Sequence, residues 1–318
     1  MKRLVLGTRG SPLATWQAEW VRKALLSRHA GLEVRLEVIR TAGDAMLAAP
    51  SPGATPKGLF TKEIEVALLS GRIDLAVHSL KDLPTALPEG LALAAVPVRE
   101  DPADVLVSAA GCRLDELPRG ATVMTGSPRR RAQLLHRRRD LQVVPIHGNI
   151  QTRLRKLGES GAQAMVLAGA GLVRLGLADR IAERLDPAQM LPACGQGALA
   201  VESRSDANEV LELLMPLDDG PARLAVTAER SFLAALGGGC RAPIGAHART
   251  APQPGNLAAT GMVADLDGVR LVRRTIAGPC GSTAEAESLG VRLAETIRDA
   301  GAREILEELT GLPSEGAP

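Results

Sequence analysis

Twice along the 318-residue chain a short apolar run passes into a threonine whose next four residues comprise a glycine, a Ser-Pro pair and an arginine. The first instance is Leu4-Val5-Leu6-Gly7-Thr8 leading into Arg9-Gly10-Ser11-Pro12. The second is Ala121-Thr122-Val123-Met124 leading into Thr125-Gly126-Ser127-Pro128-Arg129. Serine followed by proline is the N-cap and first-turn signature of a helix, so each instance reads as a strand feeding a helix. A helix start leaves backbone N–H groups without partners and turns the positive end of its dipole toward the loop, where anions collect. Two such starts, one in each of two units, predict a cleft closing on a polyanion from both walls.

The same alternation runs on through the chain and predicts an α/β fold. Strands are expected over 32–39, 73–77 and 91–98, with helices over 13–26 and 62–69. A second unit begins near Asp104, with strands over 121–124, 141–146 and 164–168 and a helix over 151–159. The Gly-rich connection Pro192–Gly197 precedes an apolar run, 198–201, that can return to the first sheet. A third, α+β module follows: a helix over 222–236, a loop at 237–240, a hairpin around Asp267-Gly268 and helices over 283–300 and 302–310. The expected division is residues 1–99 with 198–217, then 100–197, then 218–318. Residues 47–57 (LAAPSPGATPK) read as a lid, and 313–318 as a frayed end.

Composition removes several classes of function. The net charge is only +2, from 38 basic and 36 acidic residues, so nothing draws the chain to nucleic acid in general. Aromatic residues are 1% of the chain, which leaves almost no stacking surface for bases. The four cysteines, Cys112, Cys194, Cys240 and Cys280, form no CxxC pair, so neither a zinc site nor a disulfide framework is indicated. No signal peptide or membrane span is read, and a cytoplasmic protein is the expectation.

The candidate chemistry centres on His78-Ser79-Leu80-Lys81-Asp82-Leu83-Pro84, a short loop after the apolar run 73–77. Loops at strand ends are where open α/β sheets handle ligands. Asp82 can cap local N–H groups, as loop aspartates do, or hold an N–H and stabilise a cation. Cys240 follows three glycines and precedes Arg241; it reads as a buried hydrophobe or as a reachable thiol, suited to covalent attachment. Arg129 and Arg130, next to the second Ser-Pro cap, are best placed to bind carboxylates as bidentate forks. Arg131 and the Arg137-Arg138-Arg139 run are assigned mainly to solvent. His78 and His147 lack the companions of a metal site, so each is satisfied internally or touches substrate.

Together these residues resemble the porphobilinogen deaminase (hydroxymethylbilane synthase) family. The resemblance rests on TRGSPLA at 8–14, KGLFTKE at 57–63, VHSLKDLP at 77–84, TGSPRR at 125–130, GNIQTRL at 148–154, AGLVRLG at 170–176, GQGA at 195–198 and GGCRAPIG at 238–245, in family order. It implies two lobes with mixed sheets, similar to periplasmic binding proteins, plus a small C-terminal α+β domain. The implied reaction deaminates four porphobilinogen molecules and joins them head to tail into hydroxymethylbilane, releasing ammonia. The chain grows on a dipyrromethane cofactor held by a thioether to Cys240. By the same resemblance Asp82, with Lys81, is catalytic. Cofactor contacts fall on Ser79, Lys81, Asp82, Thr125, Ser127, Arg129, Arg130, Arg153 and Gln196. Substrate contacts fall on Arg9, Ser11, Lys57, His147, Arg153 and Arg174. No metal is implied, and a cytoplasmic monomer is expected, with porphobilinogen as the small-molecule substrate and no nucleic-acid or membrane partner.

Two positions depart from the family pattern: His147 stands where an arginine is usual, and Gly53 where the lid commonly carries a lysine. An ordinary histidine is largely neutral at pH 7, so one carboxylate clamp is weakened. The competing reading is a non-enzymatic bilobal protein that binds small anions, for which a module carrying Cys240 would be surplus.

Overall fold

The computed structural model describes residues 2–43, 61–237 and 242–311. Contacts divide the chain into two compact units, Met1–Glu100 with Ala198–Arg223, and Asp101–Gly197 with Leu224–Pro313. The first opens with β1 (Arg3–Thr8), α1 (Pro12–Arg28), β2 (Glu33–Val38), α2 (Lys62–Leu69), β3 (Leu75–Ser79) and β4 (Leu91–Ala95). The second continues with β5 (Asp104–Ser108), β6 (Thr122–Met124), α3 (Pro128–Arg137), β7 (Gln142–Val144), α4 (Ile150–Ser160), β8 (Ala164–Ala168), α5 (Gly169–Arg174) and β9 (Glu183–Leu185). The chain returns to the first unit as β10 (Leu199–Arg204) and α6 (Asn208–Leu214). It ends with α7 (Gly220–Ala235), β11 (Ile244–Thr250), β12 (Asn256–Ala264), β13 (Leu271–Pro279), α8 (Thr283–Ile297) and α9 (Arg303–Gly311).

The fold is mixed α/β, as expected. The first sheet has the order β2-β1-β3-β10-β4, and β10 runs antiparallel between β3 and β4. The apolar run after the Gly-rich connection therefore does return to the first sheet. The second sheet, β7-β6-β8-β5-β9, repeats the plan: three parallel strands and an antiparallel strand, β5, beside the last of them. A third, antiparallel sheet, β11-β12-β13, lies in the second unit and carries α8.

Both Ser-Pro signatures start helices. Ser11 Oγ accepts from the Ala14 N–H at 3.3 Å and Ser127 Oγ from the Arg130 N–H at 3.4 Å. Asn149 caps α4 in the same way, accepting from the Thr152 N–H at 2.8 Å. With so few aromatic residues the cores are aliphatic: Leu6, Leu25, Leu75 and Val201 pack in the first unit, and Leu106, Leu134 and Val166 in the second. Phe232 is the one aromatic among the largest fully buried side chains, packed beneath the third sheet with Leu289 and Ile297. Gly290 lets α8 approach α7 closely, since a Cβ there would collide with the Ala228 carbonyl oxygen.

Three strands were not expected: β5, β9 and β11. β9 has three residues and β11 carries Gly245 and His247 among small residues, so neither shows the apolar run of a buried strand. The strand expected over 141–146 shrinks to Gln142–Val144, ahead of Pro145, which has no N–H for a ladder. The helix expected over 283–300 ends at Ile297; Gly301, at φ 102°, separates it from α9. The lid at 47–57, with Gly53 and Lys57, lies outside the described residues, as do Cys240 with Arg241 and the end at 313–318. No helix among the described residues is long and apolar enough to cross a membrane.

Candidate active site

One group of candidates lies in the first unit. The first four residues of β3 are buried, and its chain passes into a tight turn at Leu80–Asp82. Leu80 anchors that turn: its side chain is buried and its N–H donates to the Ala198 carbonyl at 3.0 Å, at the entry to β10. Asp82 is exposed, and its carboxylate has no hydrogen-bond or ion-pair partner among the described residues. It is not capping its own turn. Lys81 sits beside it, half-buried.

Arg9, Ser11, Ser79 and Asp82 line one recess, together with Gln17, Thr61 and His78. The loop after β1 supplies the first two and the end of β3 the others, because β1 and β3 are adjacent parallel strands. Gln17 is buried on α1 and donates from Nε2 to Ser79 Oγ at 2.8 Å, which leaves the Ser79 O–H to donate elsewhere. His78 is satisfied internally and also lines the recess: its Nε2 lies 3.1 Å from Oε2 of Glu202, a fully buried residue of β10. The second oxygen of Glu202 is buried without a hydrogen-bond partner.

The second unit holds the other group. Arg129 and Arg130, in the first turn of α3, are buried and converge on one carboxylate, that of Asp104 at the start of β5. Arg129 Nη1 donates to Asp104 Oδ2 at 2.7 Å, and Arg130 Nε to Oδ1 at 2.9 Å. Gln196 Nε2 also donates to Oδ1, at 2.8 Å, and to the Pro102 carbonyl at 2.7 Å. Burial alone would raise the Asp104 pKa. The charges of Arg129 and then Arg130, with their hydrogen bonds, outweigh it and hold the carboxyl well below the usual carboxylate range. For Arg129 burial dominates and lowers the guanidinium pKa, with Asp104 opposing.

The remaining candidates of this unit lie on loops, Thr125 and His147, and on helices, Arg153 in α4 and Arg174 at the end of α5. Thr125 is buried, and its hydroxyl accepts from the Ser127 N–H at 3.2 Å. His147 is exposed, and its ring lies beside Gly126, where a Cβ would meet the Ile146 carbonyl at 2.7 Å. Arg153 Nε donates to the Gly148 carbonyl at 2.7 Å, and the buried Arg174 donates from Nη2 to the Gly197 carbonyl at 2.6 Å. Arg174 therefore meets the Gly-rich turn to which Gln196 belongs. No cluster of potential metal ligands occurs among the described residues.

Of the arginines assigned mainly to solvent, Arg137 and Arg139 are exposed, whereas Arg131 and Arg138 are half-buried and tied down. Arg138 grips Asp140 through Nε and Nη2, both at 2.7 Å, and reaches the Leu114 carbonyl. Arg131 Nη1 donates to the Val143 carbonyl at 2.9 Å and Arg137 Nη2 to Asp115 at 2.5 Å. A guanidinium has five donors, and loop carbonyls at the strand ends give it acceptors that a charge run in sequence does not reveal.

Glu229 was also missed. It is buried on α7, and its two oxygens accept from the backbone N–H groups of Gly195 and Ala248, at 2.7 and 2.8 Å, tying the Gly-rich turn to β11. Replacing Glu229 with Ala leaves both N–H groups without these acceptors. The variant is expected to lose about 2–4 kcal/mol of stability in denaturant unfolding.

Two family models match the chain: "Porphobilinogen deaminase, dipyromethane cofactor binding domain" over residues 4–212, and "Porphobilinogen deaminase, C-terminal domain" over 223–299. Among curated relatives, the porphobilinogen deaminase of Syntrophotalea carbinolica is 50% identical over 315 residues, covering 99% of this chain and 98% of that protein. That of Desulforudis audaxviator is 52% identical over 305 residues, covering 96% and 97%. Solved structures give more distant likenesses. One is a domain of Bordetella pertussis BvgS (19% identity, TM-score 0.40, 67% of this chain and 84% of that one). Another is a periplasmic solute binding protein from Desulfovibrio salexigens (12% identity, TM-score 0.41, 68% and 72%). With both halves of the chain matched and relatives half-identical from end to end, the chain belongs to the porphobilinogen deaminase family.

Proposed function

We propose that the protein is a transferase that condenses four porphobilinogen molecules head to tail into hydroxymethylbilane, releases ammonia, and frees the product by hydrolysis. The observation that carries this is the recess that Asp82, whose exposed carboxylate has no partner among the described residues, lines together with Arg9, Ser11 and Ser79. Porphobilinogen carries an acetate and a propionate, which suit a guanidinium and hydroxyl donors. Its deamination leaves positive charge on the pyrrole ring, beside which an ionised carboxylate lowers the barrier. In this reading Asp82 also holds pyrrole N–H groups, Lys81 helps position the ring's acidic arms, and Arg9 and Ser11 hold the incoming unit. Arg153, Arg174, His147 and Lys57 receive the carboxylates of the lengthening chain.

The donor set of the second unit fits a carboxylate-bearing cofactor. Two guanidiniums share one buried carboxylate, so one net positive charge remains there, and Arg129 Nε and Nη2 have no acceptor among the described residues. Thr125, Ser127, Arg129, Arg130, Arg153 and Gln196 would hold dipyrromethane, with Ser79, Lys81 and Asp82, and Cys240 would carry the thioether. When bound, the group supplies the pyrrole carbon on which the chain is built. Monomeric action in the cytoplasm, without nucleic acid or membrane, belongs to the same proposal and is supported by the family resemblance.

The test is a turnover assay with porphobilinogen alone. One hydroxymethylbilane and four ammonia should appear for every four porphobilinogen consumed. Binding without consumption would return the chain to the small-anion-binding reading. His147→Arg supplies the guanidinium the family usually has there, and is expected to lower KM for porphobilinogen roughly five-fold. An unchanged KM would show that no substrate carboxylate meets position 147.

A further inference from the structure

Three residues of the proposed cofactor site, Arg129, Arg130 and Gln196, come from two separate stretches of chain, yet all end on Asp104. This aspartate is fully buried. Each of its oxygens is used: Oδ2 by Arg129 Nη1 at 2.7 Å, and Oδ1 by Arg130 Nε at 2.9 Å, Arg130 Nη2 at 2.8 Å and Gln196 Nε2 at 2.8 Å. Gln196 in turn faces Arg130 Nη2 with its own carbonyl at 3.4 Å. Two further contacts hold the guanidiniums in place: Arg129 Nη1 also donates to the Leu191 carbonyl, and Arg130 Nη1 donates to that of Val166. Gln133 grips the same Leu191 backbone from both sides, accepting its N–H at 2.6 Å and donating to its carbonyl at 3.0 Å.

We infer that Asp104 is the positioning residue of the cofactor pocket: one carboxylate sets the direction of both guanidiniums and of the Gln196 amide, and leaves that trio with a single positive charge. The inference rests on the proposed function and deepens it. Two buried guanidiniums side by side repel each other and lose hydration, and only a buried anion between them makes the pair tolerable. An anion that used every donor would leave nothing for a ligand. Asp104 does not: it engages one nitrogen of Arg129, and the remaining Arg129 donors are held in a fixed direction by a residue that never touches the ligand. A rigid first turn of α3 presents them, because Ser127 caps it. The ligand class this geometry selects is a carboxylate on a small acidic oligomer, bound without prior rearrangement of the arginines.

The test follows loading of the intact protein with its own cofactor. Protein made without porphobilinogen is mixed with porphobilinogen, and intact mass records the dipyrrole adduct over time. Turnover kinetics are then measured on the loaded fraction. Asp104→Asn keeps the shape but offers one acceptor and an N–H pair where four donors converge. It is expected to slow loading roughly 100-fold and to raise KM for porphobilinogen on the loaded fraction by far less. Asp104→Glu keeps the charge but moves the oxygens by one methylene. It is expected to fold and still to load roughly 10-fold slowly. Val107→Ala, in the same strand, is the control for lost stability and is expected to load at the wild-type rate. Normal loading by Asp104→Glu, or by folded Asp104→Asn, would overturn the inference. Equal slowing in Val107→Ala would overturn it too, by reducing the effect to stability. A wild-type protein that never gains an adduct would instead overturn the underlying reading, and this inference with it.

Discussion

Replacing Asp82 with Ala is expected to reduce turnover by at least about 10²–10³-fold while leaving the fold and the cofactor arginines intact. The expectation follows from where the carboxylate stands. Leu80 pins the turn from inside, so Asp82 is held by backbone and not by its own hydrogen bonds. Removing the side chain therefore breaks no hydrogen bond or ion pair among the described residues, and the melting temperature should move little. Asp82→Asn keeps the volume and an acceptor oxygen but loses the charge. If charge stabilisation of the deaminated ring is the main role, Asn should be nearly as impaired as Ala. If holding pyrrole N–H groups is the main role, Asn should retain a substantial part of the rate. Near-normal rates in both variants would remove Asp82 from the chemistry.

Much of this was legible in the sequence because its signals are local. Ser-Pro after an apolar run carries its own cap and its own first turn, and both predicted helices start there. The apolar run 73–77 and Pro84 placed the turn carrying Lys81 and Asp82 between a buried strand and a stop. The return of residues 199–204 to the first sheet was readable from an apolar run after a Gly-rich crossing. What escaped was the set of buried acids. Asp104 precedes Val105-Leu106-Val107, Glu202 follows Leu199-Ala200-Val201, and Glu229 lies inside α7. Each charge in an apolar context is the signal that could have found it, since a buried carboxylate needs a partner. Naming that partner requires tertiary contacts: Asp104 and Arg129 are 25 residues apart, and Glu229 and Gly195 are 34. The solvent assignment missed the contacts of Arg131 and Arg138 for a related reason, because their backbone acceptors, the carbonyls of Val143 and Leu114, lie 12 and 24 residues away.

The second large effect concerns Cys240. In the proposed reading it is the thioether anchor of the growing acidic chain, and serine at that position is a poor substitute because an alcohol is far less nucleophilic than a thiol at neutral pH. Cys240→Ser should fold with an unchanged melting temperature and show no turnover. Cys112, Cys194 and Cys280 form no disulfide among the described residues, and burial pushes the Cys280 thiol up, away from reactivity. None of them is expected to take over the attachment. The most direct measurement is the intact mass of the purified wild-type protein beside that of Cys240→Ser. The account predicts a wild-type mass above the sequence mass by two pyrrole units and a variant at its bare sequence mass. A wild-type protein at bare sequence mass, or an adduct that survives the substitution, would contradict it.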